Sequence, residues 1–368
     1  MKELIPLKGP KGPLFERELA PQFKALLRGL VGKVPFLKFE SLTESPRGPD
    51  WTLKVRAGSR LWTVCVEAKS IAHPRRVREA TFQLRNYLST LPDTVDRYGV
   101  IVAPFISGDS ARICEEAGLG YADLAGNSRI SFDNVYIETR APDNPFRKRK
   151  EVKSLFAPKA CRVLKVLLEG PLRAWKTVEL ANASGVSTGW VSAVRQQLVA
   201  QEWAVSGSDG FRVSNPNAVL DAWVSADQWD TRTQVRQFSS LLTDPGEIAR
   251  ICGDAFRRER YAFTQWFAGW LRHPYTVPEI VTVYVDVFPS EPKRFEKQLV
   301  ARRVEQGGRL WLVVPNDPGV FLKSQTVQGF NVVSDIQIYL DLHAGGRRGD
   351  EQAAELRKWP DFAGGWNL

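Results

Sequence analysis

The stretch from Lys159 to Val213 constrains this chain most, because it reads as one compact unit with every boundary signalled. The run KACRVLKVLLEG sets Val163, Leu164, Leu167 and Leu168 at helical spacing and stops at Gly170-Pro171. Thr177 is placed to cap a short helix, VELANA, and Gly185 supplies the turn after it. Ser187 is placed to cap a third helix, TGWVSAVRQQLVAQ, with Val191, Val194 and Leu198 facing inward. WAVSGSDGFRVSN then gives two short β-rich runs around Ser208-Asp209-Gly210, a hairpin signal. Three short helices and a hairpin are the pattern of a winged helix-turn-helix. Its third helix turns Thr188, Trp190, Ser192, Arg195 and Gln196 outward; with Ser187 they form a hydrogen-bonding, cationic and aromatic face suited to a DNA groove. A small helical core with a merely solvated face is the competing reading.

The charge balance points the same way. A net charge of +10 and a pI near 9.5 suit a polyanionic partner. At 368 residues the chain is long enough for two or three domains, and 43% hydrophobic content is globular. Four scattered cysteines (Cys65, Cys114, Cys161 and Cys252) show no metal-ligand spacing, so reduced core thiols are expected. No apolar run reaches membrane-spanning length, and the start, MKELIPLKGPKG, lacks the apolar core of a signal peptide; a cytoplasmic location is expected. The clearest boundary is APDNPFRKRKEVKS, Ala141 to Ser154. Its cations Arg147, Lys148, Arg149 and Lys150 read equally as a solvated linker or as a phosphate-gripping arm.

The amino-terminal third carries a second chemical pattern. A helix is expected over Leu14–Leu30 and a strand over Phe36–Phe39, then paired strands over Trp51–Val55 and Arg60–Ala68. The last alternates Leu61, Thr63, Cys65 and Glu67 on one side with Trp62, Val64 and Val66 on the other. Asp50 follows Pro49 at the start of one strand, and Glu67-Ala-Lys69 ends the next. If the two strands are neighbours, Asp50 lies beside Glu67, and Glu67 and Lys69 share a side. Two carboxylates plus waters suit Mg²⁺, and a lysine beside them can orient an attacking water or stabilise phosphate charge. The helix RRVREATFQLRNYLSTL follows, with Gln83 and Tyr87 on one face. Further elements are expected over Tyr98–Pro104, Asp109–Ala117, Tyr121–Leu124 and Ser128–Phe132. His73, just before a proline, reads as a turn residue.

In that order, Pro49-Asp50, then Glu67-x-Lys69, then Gln83-xxx-Tyr87, residues 14–140 resemble the PD-(D/E)xK superfamily, the restriction-endonuclease-like fold. The resemblance implies that Asp50 and Glu67 hold Mg²⁺, that Lys69 assists the water, and that Gln83 and Tyr87 support site and substrate. Glu18 matches the additional acid of some members. A catalytically silent fold and an ordinary solvated strand end compete with this reading.

In the carboxy-terminal third, helices are expected over Pro245–Phe256, over YAFTQWFAGWLRHPY and over Pro292–Val304, with strands at Ile280–Val287, Leu310–Val314 and Val332-Val333. Helices at Asp335–Leu342 and Glu351–Lys358 complete a compact α/β domain with no P-loop and no dinucleotide fingerprint. The segments YAFTQWFAGWL, VTVYVD, GGRLWLVVPNDPGVF, VVSDIQIYLDL and RGDEQAAELR resemble the AbiEi-type antitoxin and transcriptional-regulator family over 159–368. That resemblance implies promoter repression and a nucleotidyltransferase-like toxin as partner. Gln265 departs from it, standing where a glycine after threonine is usual.

The expected fold is therefore multidomain, α/β and α+β. A nuclease-like mixed sheet flanked by helices, with an N-terminal arm, is expected over 1–140, and a basic linker over 141–157. A winged helix-turn-helix over 158–215 and an α/β domain over 216–368 complete it. The expected function is a duplex-DNA-binding regulator whose nuclease-like domain is silent; the alternative is a Mg²⁺-dependent DNA endonuclease targeted by the winged helix. A homodimer is compatible with either.

Overall fold

Alternation along Arg60–Ala68 builds an interior strand of the first of two units, 1–148 and 149–368. The computed structural model describes residues 13–44, 48–141 and 155–366. In the first unit, β1 (Leu37–Glu44), β2 (Trp51–Ala57), β3 (Arg60–Ala68), β4 (Arg97–Ala103), β5 (Gly120–Asp123), β6 (Ser128–Phe132) and β7 (Val135–Thr139) form one sheet in sequence order. β3, β4 and β5 run parallel; every other pairing is antiparallel. Gly58, at φ +59°, opens the two-residue turn that sets Ala57 opposite Arg60 and fixes the β2–β3 register.

Each face of this sheet is buried by a helical layer. Val64, Val66, Val100 and Val102 pack with Leu19, Phe23 and Leu27 of α1 (Pro13–Gly32). Cys65, Ile101 and Ala103 pack with Val77, Ala80 and Leu84 of α2 (Pro74–Thr90) and with Cys114 of α3 (Gly108–Glu116). Pro74 starts α2 where no backbone donor is needed. Burying a Leu or Phe of this kind stabilises by about 1.5–3 kcal/mol.

The second unit begins with α4 (Pro158–Leu168), α5 (Thr177–Ser184), α6 (Thr188–Ala200) and the hairpin β8 (Ala204–Ser206) and β9 (Phe211–Val213). Trp175 bridges Phe211, adding a third short strand segment. Three helices followed by a two-stranded antiparallel hairpin is the order expected of a winged helix-turn-helix. Val191, Val194 and Leu198 are buried on α6, and Gly185 ends α5 at φ +63°. Two capping expectations are corrected. Lys176, not Thr177, holds the N-cap position of α5, and Ser187 occupies that of α6 without a side-chain cap bond.

The remainder is α7 (Pro216–Ala226), α8 (Trp229–Arg232), β10 (Thr233–Ser240), α9 (Pro245–Ala255), β11 (Tyr261–Thr264), α10 (Gln265–Arg272) and β12 (Val281–Val285). Then come α11 (Pro292–Gln298), β13 (Ala301–Val304), β14 (Leu310–Pro315), β15 (Gln325–Val327), β16 (Phe330–Val332), α12 (Asp335–His343) and α13 (Arg347–Lys358). The seven strands form a mixed sheet in the order β13-β10-β14-β12-β11-β16-β15. Two spans expected as single helices each contain a strand. YAFT pairs with Val281–Val285, and the chain turns helical only at Gln265, whose φ is +51°. Ala301–Val304 pairs with β10 after Val300 adopts φ +44°. A left-handed residue other than glycine costs about 1–2 kcal/mol. At Gln265 the side-chain amide is tied at both ends: its Nε2 donates to the Asp341 carbonyl (3.1 Å) and its Oε1 accepts from Thr282 (2.7 Å).

The helix-and-hairpin segment α4–β9 and the mixed sheet share one apolar core, from Leu155 to Ala363. Buried polar bonds lock the joint. Arg162 of α4 makes two 2.8 Å bonds to Asp317, and fully buried Lys165 donates to Gly319 O and to Gln337 Oε1, both at 2.7 Å. Burial pulls the Lys165 ammonium down to about 8. Gln337 Nε2 in turn donates to Asp341 (2.7 Å), as do Thr264, Tyr284 (3.2 Å) and Arg232 (2.7 Å). Asp341 is wholly buried; desolvation raises its carboxyl, and Arg232 is the foremost opposing influence.

Replacing Arg232 by Met should therefore cost about 3–5 kcal/mol at neutral pH, because it leaves Asp341 charged and unpaired by a cation. Without the guanidinium, the folded carboxyl titrates higher still. The deficit should stand above that pKa and shrink as pH falls through it. Urea unfolding followed by tryptophan fluorescence across pH reads both.

Candidate functional site

Two adjoining strand ends bring the N-terminal acids together. Trp51 of β2 lies opposite Val66 of β3, so one more step along the register brings Asp50 level with Glu67. The Ala68 amide, which immediately follows Glu67, donates to Asp50 Oδ2 at 2.8 Å. This bond fixes Asp50 at the carboxyl end of β3 although the residue itself sits in a bend. Asp50 is exposed, and Glu67 and Lys69 are half-buried. Lys69 Nζ donates to Glu67 Oε1 at 2.6 Å. Asp50 is thus bonded to the amide of Ala68, and Lys69 to the carboxylate of Glu67.

The donor set fits a hard divalent cation by its chemistry: two carboxylates at the end of a sheet, one of them open to water, with a lysine in bond contact. Asp50 and Glu67 would hold Mg²⁺, the remaining positions going to water and phosphate oxygens. Among the described residues no group of three or more His, Cys, Asp or Glu is placed to hold a metal. Asp123, at the end of parallel β5, illustrates why. It is fully buried, and its oxygens are taken by the amides of Ile106 (2.9 Å), Gly126 and Asn127 (both 2.8 Å) and by Asn127 Nδ2 (2.8 Å). Asp123 latches the loops around the site instead of ligating an ion. Burial raises its carboxyl, and these bonds oppose the rise.

Gln83 and Tyr87 lie on α2 as expected. Gln83 is exposed, while Tyr87 is half-buried against Leu84 and its neighbours. Their contribution is the helix face they occupy; the bonds of Asp50 and Lys69 described above run to Ala68 and Glu67. The Glu18 side chain lies outside the described set.

On α6 and at its N-cap, Ser187, Thr188, Ser192, Arg195 and Gln196 are exposed. Trp190 is a correction to the outward set: it is half-buried and packs on the core, so it anchors α6. Arg195 Nε donates to Ser206 Oγ at 3.1 Å, joining the helix to the hairpin on the exposed surface. Arg212 of the hairpin is exposed too, a cation that the sequence pattern did not single out; its alternation with buried Phe211 and Val213 is the signal that marks it. Arg147, Lys148, Arg149 and Lys150 lie outside the described residues.

No protein-family model matches the chain, and no curated protein matches it. Among solved structures, the chain is similar to one described as the structure of EndoMS in apo form. The match has 15% identity and a TM-score of 0.21, over 32% of this chain and 48% of that one. At that score the likeness carries no argument about fold. All four cysteines are free, and among the described residues no helix is long and apolar enough to cross a membrane.

If Asp50 and Glu67 form a cation site, Mn²⁺ should bind the wild-type protein and be lost with Glu67→Gln. Lys69→Met should tighten binding by removing the cation that competes for Glu67. Electron paramagnetic resonance of free Mn²⁺ reads the bound fraction directly.

Proposed function

We propose that this protein acts on DNA, with the winged helix binding duplex and Asp50, Glu67 and Lys69 hydrolysing a phosphodiester bond in the presence of Mg²⁺. The Ala68–Asp50 bond is the observation that supports this reading most, because it ties Asp50 to the strand that carries Glu67. Bound Mg²⁺ would supply charge neutralisation at the phosphate and a more acidic water. The protein's part is to hold that ion with Asp50 and Glu67 and to present Lys69 to the attacking water. The exposed face of α6, with Arg195 reaching the hairpin, supports groove binding by the second unit. A net charge of +10 supports phosphate contact in general.

The 2.6 Å ion pair between Lys69 and Glu67 favours a second reading. If the lysine keeps that position, it holds the carboxylate away from a metal. The chain then serves as a DNA-binding regulator with a silent nuclease-like domain. An AbiEi-type role, with a nucleotidyltransferase-like toxin as partner, belongs to this second reading.

Gel shifts over a salt series should show duplex binding that falls steeply with salt, about 0.9 in log–log slope for each phosphate neutralised. Arg195→Ala should reduce sequence preference, whereas the double change Lys148→Ala with Arg149→Ala should weaken all sequences alike. With Mg²⁺ or Mn²⁺ the wild type should nick plasmid, and Glu67→Gln should bind but not nick. Binding without nicking by either protein selects the regulator; no binding at low salt removes both readings.

A further inference from the structure

The outer face of α2 offers a feature that neither the acids nor the winged helix explains. Arg75, Arg78, Phe82, Arg85 and Ser89 recur at alternating steps of three and four residues, so they form one stripe along the helix. All five are exposed. Phe82 is 68% exposed, the most exposed phenylalanine among the described residues. The opposite face, Val77, Ala80, Thr81 and Leu84, is buried in the core, so α2 does not need Phe82 for packing. Arg76 lies outside that stripe and adds a fourth exposed cation to the helix. Glu79, bonded to Arg75 at 3.4 Å, is the single acid among the helix's residues.

A ring flanked by cations selects its partner. Phosphates satisfy the arginines and gain nothing from Phe82. Duplex bases are stacked on one another and offer a protein only their edges in the grooves. An unpaired strand offers both groups at once, phosphates for a cationic track and open base faces for an aromatic ring. An acidic protein surface would satisfy the arginines, but it provides no flat apolar surface of matching size. The stripe sits on the helix that begins at Pro74, a short loop beyond Lys69, in the same unit as the Asp50–Glu67–Lys69 group.

We infer that the Arg75–Arg78–Phe82–Arg85 stripe binds single-stranded nucleic acid, with Phe82 stacking on an unpaired base and the arginines following its phosphates. This deepens the proposed nuclease by naming the strand that its site receives, and it rests on that reading for the chemistry alone. Binding itself needs no metal.

The test uses the full-length protein, a fluorescein-labelled oligothymidylate and a DNA hairpin, with EDTA present, so that a dead cleavage site and a missing strand-binding surface are read separately. Phe82→Ala should weaken the oligothymidylate about 5- to 100-fold and leave hairpin affinity within about two-fold. Phe82→Trp should restore binding, and Phe82→Leu, apolar but without a π face, should not. Arg78→Glu combined with Arg85→Glu should flatten the salt slope of the oligothymidylate by about 0.7 for each phosphate no longer neutralised. Unchanged oligothymidylate affinity in Phe82→Ala overturns the inference. So does Phe82→Leu binding like wild type, which would mark a merely apolar docking site. A change in sedimentation of Phe82→Ala with no change in affinity also overturns it, assigning the ring to an interface between copies of the chain.

Discussion

The hydrogen bond from the Ala68 amide to Asp50 is the constraint on which the candidate chemistry depends. Without it, Asp50 would be a solvated residue in a bend, and Glu67 with Lys69 an ordinary strand-end ion pair worth little. With it, the carboxyl end of β3 presents two acids at one level. The bond costs the sheet nothing, because the amide it uses belongs to the last residue of β3. Around this point the parallel run β3–β4–β5 sends its strand ends the same way. The loops beyond them are tied by Asp123 to Ile106, Gly126 and Asn127, and by Ser110 Oγ to the Ala72 carbonyl at 2.8 Å.

The second unit solves a different problem, burying charge without leaving it alone. Asp341 collects donors from Thr264, Arg232, Tyr284 and Gln337, and Gln337 passes the network to Lys165 on the first helix of the winged helix. Such networks are stabilising only when complete. Its consequence is mechanical: α4 is anchored to the mixed sheet by apolar packing and by bonds from Arg162 and Lys165. The surface of α6 thus belongs to a segment that α4 ties to the mixed sheet.

How much was legible follows from what each element relies on. β3 was readable to the residue because its alternation has period two and both faces are buried. Asp50 beside Glu67 was readable because a Gly-Ser turn fixes the register between their strands. The outward set of α6 was readable from spacing except for Trp190, whose size lets it reach back to the core. What failed was each strand-to-helix or helix-to-strand switch without a proline or glycine. Tyr261–Thr264 and Ala301–Val304 merged into neighbouring helices because Gln265 and Val300 hold left-handed backbone that their side chains do not advertise. β10 went unseen because most of Thr233–Ser240 is polar or half-exposed.

The central claim is that Asp50 and Glu67 hold one divalent cation, and anomalous diffraction from Mn²⁺-soaked crystals tests it most directly. One peak is expected within about 2.0–2.3 Å of a carboxylate oxygen of each residue, with Lys69 Nζ withdrawn from Glu67. No peak there at saturating Mn²⁺, with the Lys69–Glu67 pair unchanged, would contradict it.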